Sequence, residues 1–458
     1  MNVNLNLCEG CLEKQRTIDR LKQEIQGLRE KVRRLERKAE QGPFGSSTPS
    51  AKIPVKANTP GEQRSKPGGA RPGHPGHGRQ TVEGQRTDRM ETVSAGAQCP
   101  RCGGPLEHKE YRHRSVIDSQ PLRAERIRYQ LERAWCPRCK QSVGAHAPAV
   151  LPKCLYGNQL ITQVVFLHYR QGIPVGRLCD QLGIGLGAVF EILHRMAGLF
   201  RGVIPKLIQE YRQAPVRHAD ETGWRTDGRS GYAWLFASAT VSLFLFRSTR
   251  SAQVPKEVLG TQALGGVLVV DRYNAYNQAP CALQYCYAHL LRDVEDLAQE
   301  FPGEAEVRSF TSTLIPLVAE AMHLGGRPLA DAEYYEQACS LKQQIVDLVE
   351  QPAQHLGVRQ VQGIFRDHAH RLYQWVESRA VPADNNRAER ELRPTVIARK
   401  VSFGSQSDAG AKTREVLMSV VHTLAKRVAD PEAHFKSVLD QLAADPTQDP
   451  LALLFDTS

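Results

Sequence analysis

The sequence predicts a multidomain α/β protein, and three observations carry that expectation. At 458 residues the chain is too long for a single compact core. Its charge is uneven: residues 1–150 hold 28 Lys and Arg against 16 Asp and Glu, a net of +12, whereas residues 151–458 net −1. Its texture also changes, from a heptad-like start through a Pro/Gly tract and paired cysteines to helical stretches, and after residue 210 to apolar runs of strand length. A basic arm on a near-neutral body points to a polyanionic partner, because contacts to phosphates release counterions. A solvated basic surface is the simpler alternative.

Residues 1–40 read as a leucine-zipper-like coiled coil. Ile18, Leu21, Ile25, Leu28, Val32 and Leu35 recur at alternating steps of three and four among charged residues, with Ile and Val at one core position and Leu at the other, a pattern that favours a parallel pair of helices. A homodimer through residues 12–40 follows. Residues 41–90 contain repeated Pro and Gly, including KPGGARPGHPGHGR, and read as a flexible basic linker that cannot bury enough surface to offset its chain entropy.

Residues 91–150 read as a small zinc-binding domain. Cys99, Cys102, Cys136 and Cys139 form two proline-containing Cys-x-x-Cys pairs, 33 residues apart. Four thiolates of this kind suit a closed, structural Zn²⁺ site. The alternation of Ile127, Tyr129 and Leu131 with polar residues predicts a strand between the two pairs. Residues 151–205 predict three helices at 158–170, 175–182 and 186–200. The last two resemble a helix-turn-helix that would carry Arg195 toward a DNA groove, an ordinary helical bundle being the alternative.

In the body, strands are expected at 215–220, 231–238, 242–247 and 266–271, with a helix near 254–259. Asp220 and Asp271 then fall near strand ends, where neighbouring carboxylates can share Mg²⁺ or Mn²⁺. A third acid, Glu389, lies in a polar run that opens with Asp384 as the expected helix N-cap and also carries Arg390 and Arg393. No apolar run approaches the roughly 20 residues that cross a bilayer, and the N-terminus has no basic segment followed by an apolar one. No membrane partner is expected, and the cytoplasm is the expected compartment.

At this point the sequence resembles a known family. His218-Ala-Asp-Glu-Thr-Gly-Trp-Arg225, Cys286-Tyr-Ala-His-Leu-Leu-Arg292 and Asp384-Asn-Asn-Arg-Ala-Glu-Arg390 are similar to motifs of the insertion sequence 66 family of bacterial DDE transposases. The order of zipper, Gly/Pro/His linker, paired cysteines, helical segment, core and helical tail extends the resemblance over nearly the whole chain. It implies an RNase H-like catalytic core over 206–410 with Asp220, Asp271 and Glu389 as the acidic triad, a helical insertion at about 294–380, and a C-terminal helical tail over 411–458. One departure is that Asp271 is followed by Arg272-Tyr273-Asn274, where many relatives have Gly after the second Asp.

The expected chemistry is phosphoryl transfer with two cations, Mg²⁺ or Mn²⁺, on double-stranded DNA, at the terminal inverted repeats and at the target, with possible accessory proteins of the same element. His289, Arg292, Arg390 and Arg393 are candidates for contacting phosphate; for His289 a packed residue at a helix start is an equal alternative. Cys286-x-x-His289 looks like half a zinc site whose second half is not evident nearby. Glu221 should face away from Asp220 and is secondary. Two other classes remain open. One is a non-catalytic zinc-finger and helix-turn-helix DNA-binding regulator; the other is a general RNase H-like nuclease.

Overall fold

The computed structural model describes residues 17, 18, 20–22, 24–28, 122–138 and 141–455. The linker at 41–90 and the zinc ligands Cys99, Cys102 and Cys139 lie outside the described residues, as does the side chain of Cys136. The described residues between 17 and 28 are helical, and Ile18, Leu21, Ile25 and Leu28 are 44–56% exposed, as an unpartnered heptad seam would be. Strand β1 (Arg133–Cys136) pairs antiparallel with β2 (Gln141–Gly144). The strand expected around Ile127, Tyr129 and Leu131 is absent: the chain there is irregular and those side chains are exposed. The reason is pairing, since the β2 ladder reaches back only to Arg133.

Four helices follow: α1 (Asn158–Tyr169), α2 (Val175–Leu182), α3 (Leu186–Leu199) and α4 (Val203–Gln213). Gly183 closes α2 in the left-handed region at φ 68°, returning its N–H to the Cys179 carbonyl, a conformation that glycine adopts without a Cβ penalty. The chain bends by 111° between α2 and α3, within the range of a helix-turn-helix.

The central sheet contains β3 (Val216–Thr226), β4 (Arg229–Ala237), β5 (Ser242–Arg247), β6 (Val267–Val270) and β7 (Ala282–Tyr285) in the order β5-β4-β3-β6-β7. The first three form an antiparallel meander, and β6 and β7 run parallel to β3. Helix α5 (Gln253–Leu259) makes the crossover from β5 to β6. Ala233 to Ala237 of β4 are fully buried, as a central strand covered on both faces should be. Strand β3 continues six residues past Asp220, so Asp220 is mid-strand and not near a strand end. The cause is the turn at Asp227-Gly228, both at positive φ (52° and 71°), a geometry that joins two twisted antiparallel strands and extends the β3–β4 ladder to Thr226.

Beyond β7 come α6 (Tyr287–Glu300), α7 (Ala305–Leu324), α8 (Asp331–Glu350), α9 (Leu356–Asp367) and the short α10 (Gln374–Glu377). Helix α7 packs on α6, α8 on α7, and α9 and α10 on α8, a block of helices between β7 and the helix that returns to the sheet. The chain returns to the sheet through α11 (Asn386–Ser402), which lies on β3 and β4. Its N-cap is Asn385, one residue after the expected Asp384, which instead accepts the Asn386 N–H at 3.0 Å.

Helix α12 (Asp408–Arg427), followed by α13 (Pro431–Ala444) and α14 (Pro450–Phe455), belongs to the core. One face of α12 completes the edge of the sheet. Glu415, Ser419 and Thr423, spaced four apart, accept the N–H groups of Phe246, Phe244 and Ser242, spaced two apart, at 3.1, 2.9 and 3.0 Å. Four helical residues rise about 6 Å and two strand residues about 6.6 Å, so the two ladders stay in step. The buried Arg414 on the same helix lies over the rings of Tyr169 (5.1 Å) and Trp224 (5.0 Å), tying α1 to β3.

Candidate active site

The parallel register between β3 and β6 matches Val216 with Val267, Arg217 with Leu268 and His218 with Val269. Asp220 and Asp271 each lie two residues beyond the last pair of that ladder, close enough for Asp271 to raise the Asp220 carboxyl. Asp271 immediately follows β6, and its Oδ1 accepts the Tyr273 N–H at 3.0 Å, a side-chain turn that holds the carboxylate at the strand end. Asp220 Oδ1 accepts the Glu221 N–H at 2.8 Å.

The ligand atoms of Asp220, Asp271 and Glu389 do not all lie within 4.8 Å of one another, but Glu389, on the first turn of α11, is near enough to raise the Asp220 carboxyl. Its Oε1 is 3.6 Å from Arg292 Nη2, outside hydrogen-bond reach, and is buried with no hydrogen-bond partner. The three acids share one electrostatic neighbourhood. Burial, followed by repulsion from Glu221, Asp271 and Glu389, pushes the Asp220 carboxyl well above its ordinary range. Burial likewise raises Asp271 and Glu389. Buried carboxylates that repel one another form an all-oxygen donor set that a divalent cation would relieve.

Glu221 sits behind this cluster. It is buried, accepts from Arg250 Nε at 2.8 Å and Nη2 at 2.6 Å, and receives the Tyr276 hydroxyl. Arg250 in turn lies 4.0 Å over the Tyr273 ring. This network braces the loop after Asp271 against β3.

Sequence reasoning missed the role of Asn385. Its Oδ1 meets His218 Nδ1 at 3.0 Å, its Nδ2 donates to the Ala219 carbonyl at 2.8 Å, and its N–H donates to Cys286 Sγ at 3.1 Å. One amide thereby fixes the start of α11 against β3, one residue from Asp220, and against the start of α6. Only the motif Asp384-Asn-Asn-Arg hinted at it.

His289 on α6 has a buried Nδ1 without a hydrogen-bond partner, and burial together with Arg292 and Arg272 holds its imidazole down at about 4. The second half that Cys286-x-x-His289 lacked in sequence is supplied by Glu389: ligand atoms of Cys286, His289 and Glu389 lie within 4.8 Å of one another. Arg292 stands beside Glu389, and Arg393 is near enough to lower the Glu389 carboxyl somewhat. Arg390 lines a cleft of about 1070 Å³ together with Arg379, Arg387, Lys426 and Arg427. Arg195 is remote from the acids, and its guanidinium is hydrogen-bonded to the carbonyls of Pro152 and Lys153. The exposed residues of α3 include Leu186, Phe190 and His194.

A model of the Transposase IS66 family matches residues 153–413, more than half of the chain. The chain belongs to the IS66 transposase family. It is also similar to uncharacterized protein y4jD of Sinorhizobium fredii, 23% identical over 388 residues that cover 76% of this chain and 75% of the relative. Uncharacterized protein y4hP of the same organism is 21% identical over 421 residues, covering 76% and 71%. The IS66 match includes the helix-turn-helix-like helices, the whole sheet, all three acids and the first residues of α12.

Proposed function

We propose that this IS66-family chain is a DDE transposase with an RNase H-like core, cutting DNA at the terminal inverted repeats of an insertion sequence and transferring the ends to target DNA. The observation that supports this reading best is that Asp271 and Glu389 both lie close enough to the buried Asp220 to raise its carboxyl, with Glu389 Oε1 lacking a hydrogen-bond partner. The sheet order, an antiparallel meander followed by two strands parallel to its third member, supports the same core. Asp220, Asp271 and Glu389 would hold two Mg²⁺ or Mn²⁺ ions, which when bound supply activation of water or a DNA 3′-hydroxyl and neutralise the leaving oxygen.

The chain's own residues do the rest. Arg292 orients Glu389 and, being 40% exposed, can also reach a DNA phosphate. Arg390 and Arg393 offer further phosphate contacts. His289, neutral near pH 7, would meet phosphate as a hydrogen-bond donor and not as a cation. Asn385 keeps Asp220 and Glu389 in register. Upstream, the net +12 of residues 1–150 supplies capture of the duplex. Cys99, Cys102, Cys136 and Cys139 would close a structural Zn²⁺ site, and the exposed seam at Ile18, Leu21, Ile25 and Leu28 would pair two chains.

The test is nicking of a duplex carrying the element's ends. The proposal expects Mg²⁺- or Mn²⁺-dependent cuts at the ends by wild type, and at least about a hundredfold less from Asp220→Ala with binding retained. Equal nicking by both, or tight binding with no nicking by either, refutes it. Cuts without preference for the ends favour a general nuclease.

A further inference from the structure

We propose that Cys286, His289 and Glu389 form a further metal site, selective for a zinc-type cation, and that filling it withdraws Glu389 from the two aspartates. Four observations support this. The three ligand atoms lie within 4.8 Å of one another, the only such trio of His, Cys, Asp or Glu among the described residues. Tetrahedral Zn²⁺, with bonds of about 2.0–2.3 Å, needs its ligands roughly 3–4 Å apart, so a small side-chain adjustment closes the set. Two of the three residues, His289 and Glu389, carry buried atoms without a hydrogen-bond partner, at Nδ1 and Oε1, a rare state that a shared ligand would resolve.

The third observation is the setting of the sulfur. Cys286 is the N-cap of α6, and its Sγ already accepts the Asn385 N–H at 3.1 Å. Backbone donors and a helix N-terminus stabilise a thiolate once a metal has displaced its proton. The fourth is rigidity: Cys286 and His289 sit three apart at the start of one helix, Glu389 on the first turn of another, and Asn385 joins the two.

A mixed sulfur, nitrogen and oxygen set prefers Zn²⁺ over Mg²⁺, whereas Asp220 and Asp271 prefer Mg²⁺ or Mn²⁺. Three protein ligands also leave a fourth position for water or a phosphate oxygen. Metal capture stands on this donor set alone; the inhibitory consequence rests on the reading of Glu389 as the third catalytic acid.

The experiment uses the full-length chain, equilibrated with Zn²⁺, desalted and assayed for metal per chain. Wild type should retain one Zn²⁺ more than either Cys286→Ser or His289→Gln, whatever the N-terminal cysteines hold. Titration with Co²⁺ should give a sulfur-to-cobalt charge-transfer band that weakens in Cys286→Ser. Equal metal content in folded wild type and variants, or a cobalt band unchanged by Cys286→Ser, overturns the site. If both variants fail to fold, the wild-type titration decides. A further equivalent of Co²⁺ carrying a sulfur band after the N-terminal cysteines have been blocked supports the site, and its absence overturns it. In the nicking assay, the Zn²⁺ concentration that halves each protein's own zinc-free rate should rise about tenfold or more in the variants. One extra Zn²⁺ with no nicking under any condition would uphold the site and refute the transposase reading. Nicking with equal Zn²⁺ content would do the reverse.

Discussion

Asp220, which we propose as a catalytic carboxylate, shows what a buried acid costs the fold. Its carboxyl is raised by burial and by neighbouring acids, so the stability it contributes is present below the ordinary range near pH 4 and is lost as pH rises toward its elevated value. The metal-free chain therefore carries a growing penalty as pH rises above the ordinary carboxylate range. Asp220→Asn should raise the melting temperature of the metal-free protein by about 2–4 °C, corresponding to roughly 1 kcal/mol, while abolishing the stabilisation wild type gains from Mg²⁺. Thermal melts with and without the ion check this. Asn385→Ala should cost about 2–3 kcal/mol, because it leaves His218 Nδ1 and the Ala219 carbonyl without this partner and unties the residue before α11 from β3. It should also lower the nicking rate more than DNA affinity, a split that single-turnover kinetics reads. The acids are legible in the sequence as candidates, since carboxylates in this pattern suit divalent cations. Asn385 is not, because its partners lie 99 to 167 residues away and an amide has no periodicity to betray it.

Among elements, β5 and α12 form the most informative pair. An edge strand invites pairing with other chains, and here its N–H groups at Ser242, Phe244 and Phe246 are met by helix side chains instead. Replacing Ser419 by Val should leave the Phe244 N–H buried and unsatisfied, costing about 1–3 kcal/mol, and hydrogen exchange at Phe244 should accelerate. The limits of α2 and β5, and those of α1 and α3 to within one residue, are legible in the sequence, because Gly and Pro bracket the helices and an unbroken apolar run marks the strand. The sequence reading stops β3 at Asp220 by overlooking Asp227-Gly228, and it misses β7, whose four residues carry too little pattern to stand out. It sets α12 in a tail, since an amphipathic helix does not reveal that its polar side chains close a distant strand.

At the scale of the molecule, four histidines make the fold sensitive to acid. His168, His218, His289 and His422 are each held at about 4, chiefly by burial. His168 shows why: its Nδ1 lies 2.8 Å from the Ile173 carbonyl and its Nε2 lies 3.1 Å from Arg414, so a second proton would oppose the guanidinium. Each group's folded value lies below the unfolded value near 6.5. Its contribution is therefore complete above 6.5 and is lost as pH falls toward 4, by at most about 1.4 kcal/mol per histidine per pH unit. Melting temperature should fall steeply between about pH 6.5 and 5, and His168→Gln should remove about one proton from the uptake on unfolding.

Whether Asp220, Asp271 and Glu389 jointly hold divalent cations, as we propose, is best read by Fe²⁺-directed cleavage of the protein backbone. With Fe²⁺ in place of Mg²⁺, and ascorbate and peroxide present, cuts should cluster near residues 220, 271 and 389, be suppressed by excess Mg²⁺ and be lost in Asp220→Ala. Cuts absent from 220 and 271, or unaffected by Mg²⁺, would contradict that proposal.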